Sequence, residues 1–413
     1  MTYEESINYL NKTAGFAKKS PINNIEYLLE CLGNPQDSLR LIHVAGTNGK
    51  GSTCMFLEAL LKEKGMRTGV FSSPHLLCVN ERIRINGENI ENQLFSEVFK
   101  EVSEAVKKAI GDGRQHPSFF EMLFLMAMVS FQKEKLDYCI VETGMGGRYD
   151  ATNMILPKVS ILTTISMDHM EFLGESLDKI AYHKAGIIKE GVPVISAKQE
   201  KQCMRVIQEE AEKKNAPLEI LSEDNLNFIE KYGKYIDFLN SSAYDKKRVT
   251  GKNVAGKFQR ENLALALKAA ECILGTFEEP VIFHALEKIR MPGRMEEVLP
   301  GVYVDVAHNI QGIEAFCATV EEHFKGRKRI IFGASHKNEE DHMRHILESM
   351  NGLESFQTIS INGRVVDEKE FQNAFEEMIR VKDKETICFV VGSFYLVGIT
   401  KQYISRRKEY VKF

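Results

Sequence analysis

The stretch HVAGTNGKGSTC, His43 to Cys54, follows the apolar run LRLIHVAG and leads into STCMFLEALLKEKG. The first run reads as a buried parallel strand, and the second places apolar residues at helical spacing up to a glycine stop. Strand, glycine loop and helix are the context that a phosphate loop requires, because close glycines free backbone N–H groups at a helix start, where they favour bound phosphate. The common loop ends Gly-Lys followed directly by Ser or Thr, with its first glycine five positions before the second. Here Gly49-Lys50 is followed by Gly51, the hydroxyls arrive at Ser52 and Thr53, and Val44 stands where the first glycine is expected. The context favours a nucleotide site in which Lys50 neutralises the β- and γ-phosphates and Ser52 reaches a magnesium ion. The alternative is a tight β–α turn with a solvated lysine.

Outward from this loop, helical patterns precede it at about residues 3–13 and 23–33, and the strand RTGVFSS follows its helix. PHLLCVNERIRINGENI is too long for a plain connector and reads as a functional loop. Two more helical patterns lead to the strand DYCIVE and a second glycine-rich loop, then to KVSILTTIS and the polar pair Asp168-His169. SLDKIAYHKAGIIKEGVPVISA reads as a helix followed by a strand, residues 218–250 as peripheral hairpins, and KFQRENLALALKAAECIL as an amphipathic helix. At Pro292-Gly293 the pattern restarts, with strands near 302–306, 329–334, 355–361 and 386–392 alternating with helices, a parallel α/β arrangement. The expectation is two α/β domains, 1–291 and 292–413, the first carrying the phosphate loop.

With 413 residues the chain is long enough for two or three cores. A net charge of −4 gives no broad attraction for nucleic acid or anionic membrane. The eight cysteines form no C-x-x-C pair, the pattern of reduced thiols and not of a disulfide framework or zinc site. With an acidic, amphipathic start, MTYEESINYLNKT, and no apolar stretch of spanning length, the chain is expected in the cytoplasm.

Several side chains fall where open parallel sheets gather their sites, at the carboxyl ends of strands. Glu142 ends DYCIVE and could hold Mg²⁺ or simply terminate a strand. His169 follows a strand beside Asp168, and is as readily structural as it is a ligand, because Mg²⁺ prefers oxygen. Lys184 shares a helical pattern with His183 and Lys189, which on composition reads as a solvated basic face. DVAHN, Asp305 to Asn309, ends the first strand of the second domain, with a helix N-cap at Asn309 as the plain reading. Arg294 follows the boundary and could be a linker charge.

Taken together, GTNGKGS, SSPHLLCVNERIRING, VETGMGGRYDATN, DHMEFLGESLDKIAYHKAGIIK, GKFQRENLALAL, MPGRME, DVAHN and VGSFYLVG resemble one family in order, from about residue 20 to 398. The family is folylpolyglutamate synthase/dihydrofolate synthase, within the Mur ligase superfamily, and the displaced hydroxyl is its version of the loop. The resemblance implies an N-terminal Mur-ligase-like ATPase domain containing the P-loop and a smaller C-terminal Rossmann-like α/β domain. It implies an ATP-dependent ligase that phosphorylates a carboxylate and joins L-glutamate to it, with folate or dihydropteroate as the acceptor.

Carried over by position, Gly49, Lys50, Gly51 and Ser52 would hold the triphosphate, with Asn262, Arg294, Asp305 and His308 also at the ATP, sandwiched between domains. Ser52, Ser73, Glu142 and His169 would bind magnesium, and Lys184 matches a lysine that CO₂ converts to a carbamate. Lys50, Lys184 and His169 would serve the chemistry, while Ser118, Phe120, Glu121 and Asp150 lie where relatives handle pterins. The family further suggests a monomer. The chain departs from the family's pattern at Ile310, often Pro, at His183, often Glu, and at INNIEY, where many relatives read roughly Gly-Leu-Glu-Arg. Three other readings stay open: a Mur-type ligase for another carboxylate, an ATP-dependent phosphotransferase, and a nucleotide-gated binding protein without chemistry.

Overall fold

The apolar run ahead of the glycine loop is a strand buried at every position, Leu41–Ala45, in a computed structural model that describes residues 1–13, 21–230, 257–335, 337–363, 365–383 and 385–410. It is β1 of a sheet completed by β2 (Thr68–Phe71), β3 (Ile83–Ile85), β4 (Glu88–Asn89), β5 (Tyr138–Glu142), β6 (Pro157–Leu162), β7 (Val194–Ser196) and β8 (Leu218–Ile220). The order is β4-β3-β2-β5-β1-β6-β7-β8, parallel from β2 to β8 with an antiparallel edge at β3 and β4. β1 lies at the middle, so both its edges are paired and both faces covered, which is why it reads as a continuous apolar run rather than an alternating one. One face packs against the helices Tyr3–Thr13, Ile22–Cys31, Asn92–Gly111 and Phe119–Lys133 through a core that includes Phe71, Phe95, Phe99 and Phe124. A second core, with Leu162, Ile180 and Ile207, seats the helices Leu177–Ala185 and Lys201–Lys213.

Two expectations are corrected here. PHLLCVNERIRINGENI is not one long loop: Glu81 accepts the backbone N–H groups of Leu76, Leu77 and Cys78 at 2.7, 2.8 and 3.0 Å, and the chain then forms β3 and β4. The turn between them is Asn86-Gly87, both at positive φ (51° and 91°), the Asn-Gly hairpin signal lying unread in RINGEN. Residues 218–230 are not hairpins either; β8 adds to the sheet in parallel and the helix Glu223–Glu230 follows. Residues 231–250, the rest of that expectation, lie outside the described residues.

The chain divides into two compact units, Met1–Ile229 with Glu261–Ala285, and Glu230–Arg260 with Leu286–Phe413. The second unit holds β9 (Glu296–Leu299), β10 (Val302–Asp305), β11 (Arg327–Phe332), β12 (Leu353–Thr358), the small hairpin β13 (Ile361–Asn362) and β14 (Val365–Val366), and β15 (Thr386–Val391). Its sheet runs β12-β11-β15-β10-β9, parallel except for β9, an antiparallel edge ahead of the first strand expected in this part of the chain. The α/β class holds in both units. Among the described residues no helix is long and apolar enough to cross a membrane.

Candidate active site

The glycine loop leaves β1 and turns into the helix Lys50–Glu63, with Gly49 as its N-cap at φ 87°. Gly49 is required twice over. Its conformation disfavours any side chain, and a Cβ there would fall on the amide oxygen of Asn262. Asn262, in the helix Lys257–Leu274, also accepts from Thr53 Oγ1 at 3.5 Å, so this distant residue does meet the loop. The segment after β6 braces the other side. Thr47 N and Asn48 N donate to Thr164 O at 2.8 and 3.3 Å, and Thr47 Oγ1 pairs with Ser166 N and O at 3.1 Å each.

Two ammonium groups converge on the same loop. Lys50 Nζ donates to the carbonyls of Gly46 (3.1 Å) and Thr47 (3.0 Å), and Lys184 Nζ donates to Gly46 O at 2.7 Å. Lys184 is 3% exposed, which overturns the solvated basic face read from its composition. Burial, and then the charge of Lys50, pull its pKa down to about 7, with Asp168 and Asp150 acting in the opposite sense. Lys189 lies beyond the helix Leu177–Ala185 and donates to Asn153 O at 2.7 Å.

The second glycine-rich loop puts Lys184 in place. Gly147 passes so close to that helix that a Cβ would stand 2.9 Å from the carbonyl oxygens of His183 and Lys184. Arg148 then ties off the helix's last turn: its N–H donates to His183 O (2.7 Å), its Nε to Tyr182 O (3.2 Å), and its Nη2 pairs with Glu210 at 2.7 Å. A cation at a helix C-terminus is favoured by the helix dipole. Arg148 and Glu210 were not singled out from sequence.

Glu142 ends β5, beside Val44 in register, and is 4% exposed. Its Oε2 accepts from Ser73 N at 3.2 Å and lies 3.7 Å from where a Gly51 Cβ would stand, so Glu142, Ser73 and the helix start carrying the buried Ser52 come together. Asp168 and His169 follow β6; His169 has φ 48°, opens the short helix Met170–Leu173, and stands 3.8 Å from Asp168. Among the described residues no three His, Cys, Asp or Glu side chains cluster as metal ligands. Hydroxyl and carboxylate oxygens at Ser52 and Glu142 nevertheless suit a hard cation, and an unmodified Lys184 does not.

The residues carried over for the pterin have work of their own. Ser118 and Glu121 form a reciprocal capping box on the helix Phe119–Lys133. The Phe120 ring lies 5.3 Å from that of Phe71 and closes on Gly144, two residues past Glu142. Asp150 accepts from Met145 N, Thr152 N and Thr152 Oγ1 at 3.0, 3.1 and 2.7 Å, holding its own loop. Thr152 Oγ1 is also 2.9 Å from Nε2 of His43, fully buried in β1, whose pKa burial lowers to about 3. A neutral imidazole thus connects the central strand to the second loop. The signal was present in LRLIHVAG, a polar residue inside an apolar run.

In the second unit, Asp305 is buried and its two oxygens accept from Met295 N and Ala307 N at 2.8 Å each. Burial raises its pKa and the charge of Arg294 opposes the rise. Nδ1 of His308 meets Val306 O at 2.9 Å, which assigns the ring proton to that nitrogen. Asn309 caps the helix Ile310–His323, accepting from Gly312 N at 2.8 Å, as its plain reading has it.

Residues 44–270 match the Mur ligase middle domain. Over 422 residues the chain is 31% identical to dihydrofolate synthase/folylpolyglutamate synthase of Bacillus subtilis, covering 96% of this chain and 97% of that protein. The chain belongs to the folylpolyglutamate synthase/dihydrofolate synthase family. As a member of this family and of the Mur ligases it is a ligase. Folylpolyglutamate synthase of Lacticaseibacillus casei is 30% identical over 81% of this chain and 80% of its own length. The human mitochondrial folylpolyglutamate synthase is 34% identical over 71% of this chain, which spans about half (52%) of that longer relative. A solved FPGS–AMPPCP–folate complex superposes with a TM-score of 0.84 at 25% identity, covering 98% of this chain and 100% of that one.

Proposed function

We propose that the chain joins L-glutamate to a folate at the expense of ATP, through an acyl phosphate, with dihydropteroate as a second acceptor. The convergence of Lys50, Lys184 and Glu142 on a glycine loop at a helix start carries this reading. It is supported by the family and by the AMPPCP and folate bound in the solved relative. The γ-phosphoryl group passes to the substrate carboxylate, leaving ADP. The amino group of glutamate then attacks the acyl carbon, the C–N bond forms, and phosphate departs with the former carboxylate oxygen.

In this scheme the N–H groups around Gly49, Gly51 and Ser52 cradle the triphosphate, and Lys50 turns from the carbonyls of Gly46 and Thr47 to the β- and γ-phosphates. Asn262, Arg294, Asp305 and His308 are assigned to ATP, and Ser118, Phe120, Glu121 and Asp150 to the pterin. Ser52, Ser73, Glu142 and His169 would hold Mg²⁺, joined by Lys184 as a carbamate. When bound, the ion offsets phosphate charge and polarises the γ-phosphoryl group. The division into an ATP-binding domain (1–291) and a glutamate-ligase domain (292–413), a monomeric state and a cytoplasmic setting belong to the same proposal. The eight free cysteines support a reducing compartment.

The test is a substrate panel. Purified protein with ATP and Mg²⁺ is offered dihydropteroate, dihydrofolate and reduced folates, each with and without L-glutamate, and product masses are read. Products heavier by one glutamyl residue are expected. A stable phosphorylated product that accumulates with glutamate present, and no glutamylated one, would instead support a phosphotransferase.

Glu142→Gln is expected to raise the Mg²⁺ concentration for half-maximal rate by about tenfold or more, because an amide oxygen is an uncharged and weaker ligand for a hard cation. A superimposable magnesium titration would make Glu142 a strand terminus only.

A further inference from the structure

The loop carrying Arg294 and the loop carrying His308 meet at one ring. The guanidinium carbon of Arg294 lies 5.3 Å from the centroid of Phe394, and the His308 ring centroid lies 5.7 Å from it at 58°. Phe394 is the first residue of the helix Phe394–Tyr410, whose start is fixed by Ser393 Oγ accepting from Leu396 N at 3.1 Å. The same helix is tied to the Arg294 segment a second time. Lys401 Nζ contacts both oxygens of Glu296 at 2.7 Å, and Glu296 Oε2 accepts from Gly293 N at 2.7 Å. The backbones on either side are already set, because Asp305 holds the N–H groups of Met295 and Ala307. His308 has a further anchor, its Nδ1 on Val306 O at 2.9 Å, and Phe394 is the ring that both side chains share.

A helix N-terminus carries partial positive charge and repels a cation placed beside it. The electron-rich face of an aromatic ring offsets that repulsion and adds to the pull of the Asp305 carboxylate on Arg294. A ring is also flat and has few rotamers, so it holds both neighbours at small entropic cost. We propose that Phe394 is a positioning residue, a platform that sets the directions of Arg294 and His308 and through them the hold on the nucleotide. The inference rests on the assignment of Arg294 and His308 to ATP.

Phe394 is only half-buried, so Phe394→Leu leaves the fold standing, which a thermal melt checks. The KM for ATP should rise about three- to tenfold, the range that a cation–π contact accounts for, with the KM for glutamate unchanged. Phe394→Tyr, which keeps the ring face, should restore it. In an Arg294→Ala, His308→Ala background, Phe394→Leu should add nothing. An unchanged KM in Phe394→Leu, equal losses in the Leu and Tyr variants, or full additivity with the double substitution each overturns the platform. If Arg294→Ala and His308→Ala themselves leave the KM for ATP unchanged, the nucleotide assignment fails, and the platform with it. That outcome is recognisable from the single variants.

Discussion

Lys50→Ala is expected to abolish ATP turnover while the protein stays folded. Among the described residues the ammonium group donates to the loop's own carbonyls, Gly46 and Thr47. Losing two such bonds on a partly exposed side chain costs about 1–3 kcal/mol of stability, a modest shift in melting temperature. The loss in rate is larger, because charge builds on the transferring phosphoryl group in a site prepared for it. Removing one such stabilising group typically lowers kcat by about 10²–10³. The substitution has a second consequence through its neighbour. Lys50 is one of the two causes that lower the pKa of Lys184, so its removal makes the Lys184 amine harder to deprotonate. Lys50→Arg separates these effects, since it keeps the charge but places a planar fork where a compact ammonium fits. Single-turnover assays and a melting curve on both variants provide the check. Near-normal glutamate ligation by Lys50→Ala would sink the phosphate-loop assignment.

How far the sequence reached can be seen at particular residues. β1, β5 and β6 were legible because central parallel strands are mostly apolar, interrupted here only by His43, by Glu142 at a strand end, and by Lys158 and Ser160, and the helix after Gly49 because its apolar residues keep a 3.6-residue period. β4 and β9 are short edges and β3, next to β4, is only three residues long; their burial is partial or slight, and such segments leave weak patterns. Lys184 shows the sharper limit. Composition around it, His183 to Lys189, describes a solvated face, and only the tertiary approach of Gly147 and Arg148 shows the amine to be buried. Burial of a polar group is a property of two segments at once, and the second of these lies far away in sequence. Ser118 and Glu121 are the opposite case, because their capping box is local and stands in SFFE as a Ser followed three residues later by Glu.

Lys184→Ala is the second large effect expected, and it decides what kind of group occupies that place. As a plain cation, Lys184 would sit beside Lys50 and next to the proposed magnesium site, adding positive charge where positive charge is already concentrated. Burial compounds the cost, because an ammonium removed from water loses its hydration. Both strains are relieved if the neutral amine attacks CO₂, forming a C–N bond and releasing one proton. The product is an anion with two oxygens, the donor set that Mg²⁺ favours. Alanine removes the amine, so no carbamate forms, and turnover should fall by about 10² or more, as for loss of a stabilising group at a transferring phosphoryl. The truncation also opens a space the length of a lysine side chain behind Gly46. A short carboxylic acid such as acetate can enter that space and present two oxygens, so it should restore part of the activity, whereas ethylamine should restore none. A matching requirement for bicarbonate is expected in the unsubstituted protein after CO₂ is purged. Rescue by the amine in place of the acid would show that a cation is needed at this position. Full activity of purged protein would show that the lysine works unmodified. Either result removes the carbamate and leaves Lys184 as a donor to the Gly46 carbonyl, its role in the structure as it stands.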